Sequence, residues 1–274
     1  MTNPMAETSP TTRGRILATL YLFVVVAGVT GQTFIADRLV VGDDSAKTAA
    51  NIVANSSVYR LGFTIFMLEM VAQIAVSAMF YDLLKPVNRS LARITAIIGL
   101  TGCGIKTMAR LFYYAPLILL GGASSLSAIF GLTASGIKTM ARVFFYAPLI
   151  VLSGAPYLSV MEPAQLETLA FLFLRINSQG AAIALIFFGF ETLLRGWLVF
   201  KSGFLPRFLG VISMIGGLGW LTFLWPPLGS QAFMGVALFA IVGVIATTGW
   251  LLIRGVDDAK WRERAASAAT SIWR

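Results

Sequence analysis

Long apolar runs separated by short polar gaps dominate the chain. Crossing a hydrocarbon layer of roughly 30 Å takes about 20 helical residues, and runs of that order occupy 15–36, 58–82, 91–121, 126–154, 168–200, 206–225 and 231–254. The pattern predicts seven candidate transmembrane helices in an all-α, polytopic helical bundle. Turn residues mark the gaps: Gly42-Asp43-Asp44-Ser45, Asn55-Ser56-Ser57, Lys85-Pro86-Val87-Asn88-Arg89-Ser90, Glu162-Pro163 and Trp225-Pro226-Pro227. The first run follows Arg13 and Arg15, is too long for a signal-peptide core and lacks a small-residue cleavage site, so it is read as a retained span. No linker divides the chain. Residues 1–274 are expected to form one membrane domain, with a polar N-terminus at 1–14 and a basic tail at 255–274.

A tandem repeat changes the helix count. Residues 96–127 align without a gap on residues 128–159, with 23 of 32 positions identical. Such closeness over a whole helix points to duplication of one segment, giving a six-helix core plus one duplicated hydrophobic helix. At about 1.5 Å per residue the extra copy adds roughly 48 Å, too much to extend one span and too little for two full crossings. The expected turn is Gly121-Gly122-Ala123-Ser124-Ser125.

Composition agrees with lipid as the solvent: 57% of residues are apolar and 12% charged, against about 25% charged in soluble domains. The formal charge of +9 reads as membrane topology rather than nucleic-acid binding, because the basic residues cluster between the apolar runs. Six spans with the N-terminus inside put twelve basic residues inside (Arg13, Arg15, Lys85, Arg89, Arg93, Lys201, Arg207, Arg254, Lys260, Arg262, Arg264, Arg274) and three outside (Arg38, Lys47, Arg60). Seven spans from an inside N-terminus reverse that bias. Seven from an outside N-terminus, or six with one re-entrant repeat copy, restore it, and the sequence does not choose between these two.

With no histidine and a single cysteine, Cys103, the chain lacks the residues of a Ser-His-Asp triad, a bis-histidine haem and the usual His or Cys metal sites. No catalytic signature, cofactor motif or metal site is found, and the chain is not expected to be an enzyme. The unusual chemistry is charge inside the spans. Lys106 and Arg110 are four apart on one helix face, as are Lys138 and Arg142 in the second copy. Each charge at mid-membrane costs about 2.5–3.5 kcal/mol on insertion scales, and the in-span acids are Glu69 and Glu191. Arg195 sits four residues after Glu191, the favourable order for an i,i+4 pair.

The candidate charged site is therefore Glu69, Lys106, Arg110, Lys138, Arg142, Glu191 and Arg195, with Gln73, Tyr113, Tyr146, Asn177 and Gln179 as candidate cavity-lining residues. Surplus positive charge there suits an anionic group such as a lipid head group or an amphiphilic carboxylate. The plainer alternative is one structural ion pair, with the other charges reaching an interface. The run Arg175 to Gly180 interrupts the fifth apolar stretch and is read in preference as the end of an interfacial helix, 163–176, before a span at 180–200. Ala27 with Gly31, Ser213 with Gly217 and Gly243 with Thr247 have the spacing of close helix packing, expected within one subunit. The tail 254–274 reads equally as a surface-lying helix on anionic lipid or as a frayed end.

Leu20-Tyr21-Leu22 with Ala27-Gly28, then GDDSAKTAANIVANSSVYRLGF at 42–63, LLKPVNRSLA at 83–92, SGAPYLSVMEPAQLETLAFLFL at 153–174 and FFGFETLLRGWLVFKSGFLPRFLGV at 187–211 resemble the bacterial membrane family known as domain of unknown function 4386. The resemblance implies a multi-pass inner-membrane protein of about six helices whose biochemical role is not established. The expected partners are membrane lipids and a small anionic or amphiphilic ligand, with a membrane-protein partner as the alternative if the chain is an assembly subunit.

Overall fold

A computed structural model describes residues 9–121 and 161–270. Eight helical elements follow in order: α1 Pro10–Leu39, α2 Ser45–Ala54, α3 Ser56–Leu84, α4 Arg89–Gly121, α5 Pro163–Ser202, α6 Arg207–Leu224, α7 Pro226–Ile253 and α8 Asp258–Thr270. No strand occurs among the described residues. Helix starts follow local chemistry: the Asp44 carboxylate accepts from the Lys47 amide at 2.9 Å to cap α2, and Asn88 Oδ1 accepts from the Leu91 amide at 2.9 Å to cap α4. Prolines open α5 and α7, where a missing N–H is harmless.

Six of these helices, all but α2 and α8, are long and apolar enough to cross a membrane. Their outward faces stay apolar: Val71 is 60% exposed, Met234 66% and Ile253 78%. Such faces are the mark of a chain whose solvent on that side is hydrocarbon. The seventh candidate, 126–154, and the second repeat copy lie outside the described residues.

The described helices form two compact units. The first, drawn from Met1–Val26, Glu69–Gly104 and Ala182–Arg274, has a core that includes Leu17, Val76, Phe80, Leu84, Leu198, Leu209 and Leu251. The second, drawn from Ala27–Leu68 and Ile105–Ala181, packs around Ile52, Tyr59, Phe66, Tyr113, Leu117 and Leu174.

Hydrogen bonds gather five span ends of the first unit at one place, and the short α3–α4 turn brings the start of α4 to it. Thr11, at the start of α1, donates through its hydroxyl to the Val256 carbonyl at 2.7 Å and through its amide to Asp258 Oδ1 at 2.8 Å. The Trp261 indole N–H donates to the Leu83 carbonyl at 2.9 Å, tying α8 to the end of α3, and the Asp257 amide donates to the Phe204 carbonyl in the α5–α6 turn. Pro10 and Ile253, the outer limits of the described spans, therefore face the same side. Within the tail, Asp258–Thr270 form a helix held by these side chains.

Residues 163–202 also correct the sequence reading. They form one continuous helix of 40 residues, about 60 Å long, instead of an interfacial helix followed by a shorter span. Ser178 explains how the polar run stays helical: its hydroxyl donates to the Leu174 carbonyl at 3.1 Å, satisfying itself within the helix. Arg175 reaches out to an ion pair with Asp43.

The α5–α6 contact depends on glycines seven residues apart on each helix, Gly189 and Gly196 against Gly210 and Gly217. A Cβ on Gly210 would lie 2.6 Å from both the Gly196 carbonyl oxygen and the Phe200 nitrogen, and one on Gly217 would lie 2.6 Å from the Leu193 nitrogen. Backbones this close leave no room for a side chain. Gly210→Ala is expected to destabilise the fold by about 1–3 kcal/mol, read as a lower thermal unfolding temperature in detergent. Gly216→Ala, whose Cβ meets nothing within 4 Å, is the control and should unfold at or slightly above the parent temperature.

Candidate functional site

Inside the first unit the charged centre is an ion pair within α5. Glu191 and Arg195, 2% and 4% exposed, stand one turn apart with Nη1 to Oε1 at 3.5 Å. Neighbouring helices complete it. Ser77 on α3 donates to Glu191 Oε1 at 3.1 Å, and Arg195 Nη2 donates to the Tyr21 hydroxyl on α1 at 3.0 Å and to Thr192 Oγ1 at 3.2 Å. The guanidinium carbon lies 4.4 Å from the Phe80 ring centroid, a favourable cation–π position. On α4, Gly99 gives the carboxylate its space: a Cβ there would sit 2.5 Å from Glu191 Cδ. Four helices thus converge on one neutral pair. The adjoining cavity, walled by Tyr21, Phe80, Thr192, Arg195, Ser213 and Thr247 among others, is about 50 Å³, room for a few waters and not for a solute.

In the second unit Arg110, 4% exposed, lies over the Phe66 ring at 3.5 Å from its centroid. Tyr113 stacks on Tyr59 with centroids 4.4 Å apart and meets Phe66 edge-on at 5.3 Å. The Tyr59 hydroxyl donates to the Tyr113 carbonyl, close to Pro116, which removes the helical N–H that Phe112 would otherwise receive. Asn177 is buried on α5, and its Oδ1 accepts no hydrogen bond among the described residues.

A third cluster lies where the span ends of the first unit meet. A cleft of about 1010 Å³ opens between the α3–α4 turn and α8, with Lys85, Arg89 and Arg93 on one wall and Lys260 and Arg264 on the other. Tyr81 and Trp261 contribute aromatic surface, and Glu263 is the acid in the lining. Lys85 pairs with Asp82 at 2.7 Å and Lys260 with Asp257 at 2.9 Å. Hydrogen bonds from the Lys260 side chain and amide hold the Asp257 carboxyl below the usual carboxylate range, so this carboxyl stays ionised at neutral pH.

Of the sequence candidates, the structure brings together Glu191 and Arg195 in one unit and Arg110 and Tyr113, across Phe66, in the other. Glu69 and Gln73 are buried in the first unit, whereas Lys106 is half-buried in the second. Gln179 is exposed on α5. Lys138, Arg142 and Tyr146 lie outside the described residues. The basic cleft was not anticipated as a site. Its sequence signal is two i,i+4 cationic pairs beside span ends, Arg89 with Arg93 and Lys260 with Arg264, which read singly as topology markers.

The profile of a family described as "Domain of unknown function (DUF4386)" matches residues 16–128 and again 121–255. An uncharacterised protein of Archaeoglobus fulgidus is 32% identical over 71 residues, 26% of this chain and 43% of that protein. The chain therefore spans under half the length of that relative. No solved structure matches.

The Glu191–Arg195 geometry predicts strong coupling. Arg195→Met leaves a buried acid without its partner and should cost about 3–5 kcal/mol, while Glu191→Gln with Arg195→Met should cost much less than the sum of the single changes. A double-mutant cycle of unfolding in detergent checks this, and additive effects would refute the coupling.

Proposed function

Because the chain belongs to the family described as domain of unknown function 4386, whose biochemical role that description leaves open, we propose that it is a multi-pass protein of the bacterial inner membrane that binds a small anionic or amphiphilic molecule without chemically transforming it. The observation that carries this reading is the basic cleft: five cationic side chains line one opening of about 1010 Å³ at the ends of membrane spans. An amphiphile suits that position, since its charged end meets the cations while its apolar part remains near the hydrocarbon.

The intramembrane charges support the boundary as the binding place. Glu191 and Arg195 neutralise each other and are enclosed by Ser77, Tyr21, Phe80 and Gly99, so they serve packing. The side facing the cleft is assigned to the cytoplasm. The N-terminal start of α1, the α3–α4 and α5–α6 turns and α8 meet there, and these segments carry Arg13, Lys85, Arg89, Arg93, Lys201, Arg207, Lys260, Arg262 and Arg264, the bias of a cytoplasmic face. Histidine is absent and Cys103 is buried, which favours binding over catalysis.

Two measurements test the reading. A single cysteine at Ser90 or Ser267, in a Cys103→Ser background, should react with a membrane-impermeant maleimide in inverted vesicles and not in intact cells; the opposite pattern overturns the sidedness. Native mass spectrometry of protein extracted gently from its own membrane should show a retained anionic amphiphile. A stably retained protein partner with no small ligand would instead make the chain an assembly subunit.

A further inference from the structure

We infer that the basic cleft selects a phosphate group, carried by an anionic phospholipid or by a soluble phosphate compound, and grips it between two helix turns of paired cations. The inference rests on the proposed binding role and narrows its ligand. Arg89 and Arg93 stand one turn apart at the N-terminal start of α4, and Lys260 and Arg264 stand one turn apart on α8. All four line the same cleft from opposing walls.

Charge accounting identifies the gripping groups. Lys85 and Lys260 already have carboxylate partners in Asp82 and Asp257, while Arg89 and Arg93 make no ion pair among the described residues. Arg264 donates to the Lys201 carbonyl at 3.4 Å, a long contact that a charged acceptor can replace. Three guanidinium groups are therefore available. A guanidinium binds two oxygens at once, and a tetrahedral phosphate offers oxygens in several directions to forks arriving from two walls. A planar carboxylate keeps its two oxygens and their lone pairs in one plane, whereas even a phosphodiester directs those of its two charged oxygens out of a single plane, the better match to forks from two walls. The start of α4 adds the positive end of a helix dipole beside Arg89, which favours the same anion.

The wall formed by α8 is held in place without the ligand. The Trp261 indole bonds the Leu83 carbonyl, and Thr11 bonds both Val256 and Asp258. The cationic turn of α8 is thus fixed by hydrogen bonds that do not use its Lys260 or Arg264 side chains, so little ordering cost remains for that wall on binding. Tyr81 and Trp261 provide the amphipathic ring surface suited to the level of lipid head groups.

The full-length protein in neutral phosphatidylcholine nanodiscs is titrated with dioleoylphosphatidylglycerol, with oleate, and with phosphatidylglycerol in the presence of millimolar inorganic phosphate, each read by native mass spectrometry. Phosphatidylglycerol should be retained in preference to oleate. Arg89→Gln with Arg93→Gln should weaken its retention roughly 30-fold, taking about 1 kcal/mol for each basic residue near the head groups. Arg262→Gln, which removes one charge from the same helix but does not line the cleft, should change it less than threefold. Displacement by inorganic phosphate supports phosphate recognition and assigns the source to soluble compounds; resistance to displacement assigns it to the lipid. Equal retention of oleate overturns phosphate selectivity and leaves the broader anionic reading standing. Retention of neither ligand overturns both, and an Arg262→Gln loss as large as the double variant's overturns the cleft as the site. Unchanged helicity and a monodisperse elution profile establish that each variant is folded.

Discussion

Hydrocarbon supplies no hydrogen bonds, and every polar group held inside it must be answered by the chain itself. The Glu191–Arg195 pair shows what that requires. Within α5 the two side chains neutralise each other, but three further helices are needed to finish the arrangement: Ser77 and Phe80 from α3, Tyr21 from α1 and the empty side of Gly99 on α4. The pair is thereby a registration device. Sliding any of these helices by one turn would expose a charge to lipid or drive a side chain into the carboxylate. This accounts for a charged pair in a core where leucines would pack as tightly, in keeping with the use of buried polar groups to select one arrangement among many.

Apolar contact cannot give that selectivity alone, since lipid tails are as apolar as leucine. The α5–α6 seam solves the same problem by shape. Its glycines let two backbones meet where even a methyl group would collide, and lipid cannot fill such a surface as well as a neighbouring helix can. Charge registers α5 against α1, α3 and α4, while shape registers it against α6. One long helix is thus positioned from several sides by two unlike kinds of contact.

Legibility of these features in the sequence follows from their range. The six described spans are visible because each carries its apolar run in consecutive residues, and the Glu191–Arg195 pair is visible because its members are four apart. Ser77, Tyr21 and Gly99 are not, since they come from helices 92 to 170 residues away along the chain and join the pair only through packing. The glycines at 189, 196, 210 and 217 carry a spacing that the shorter small-residue motif overlooks, and their meaning depends on the facing register. Pro163 does open a helix, as Glu162-Pro163 suggests, but residues 163–176 and 180–200 do not separate, because a polar run can be satisfied inside a continuing helix. A serine that returns its hydroxyl to the Leu174 carbonyl and an arginine that extends to Asp43 let one helix continue through it.

Depth also separates the roles of the charges. At mid-membrane an ion is affordable only when its partners are built in, so the residues that satisfy Glu191 and Arg195 leave them little to offer a ligand. At the span ends water can solvate a guanidinium between binding events, and Arg89 and Arg93 stand there without ion-pair partners among the described residues. Topology and recognition then draw on the same residues. Cationic side chains gathered on one face by insertion are brought by Trp261, Thr11 and Asp258 from separate segments to opposing walls of one cleft. On the proposed reading, a charge bias that orients the chain in the membrane becomes, once the ends are tied together, the place where an anion is held.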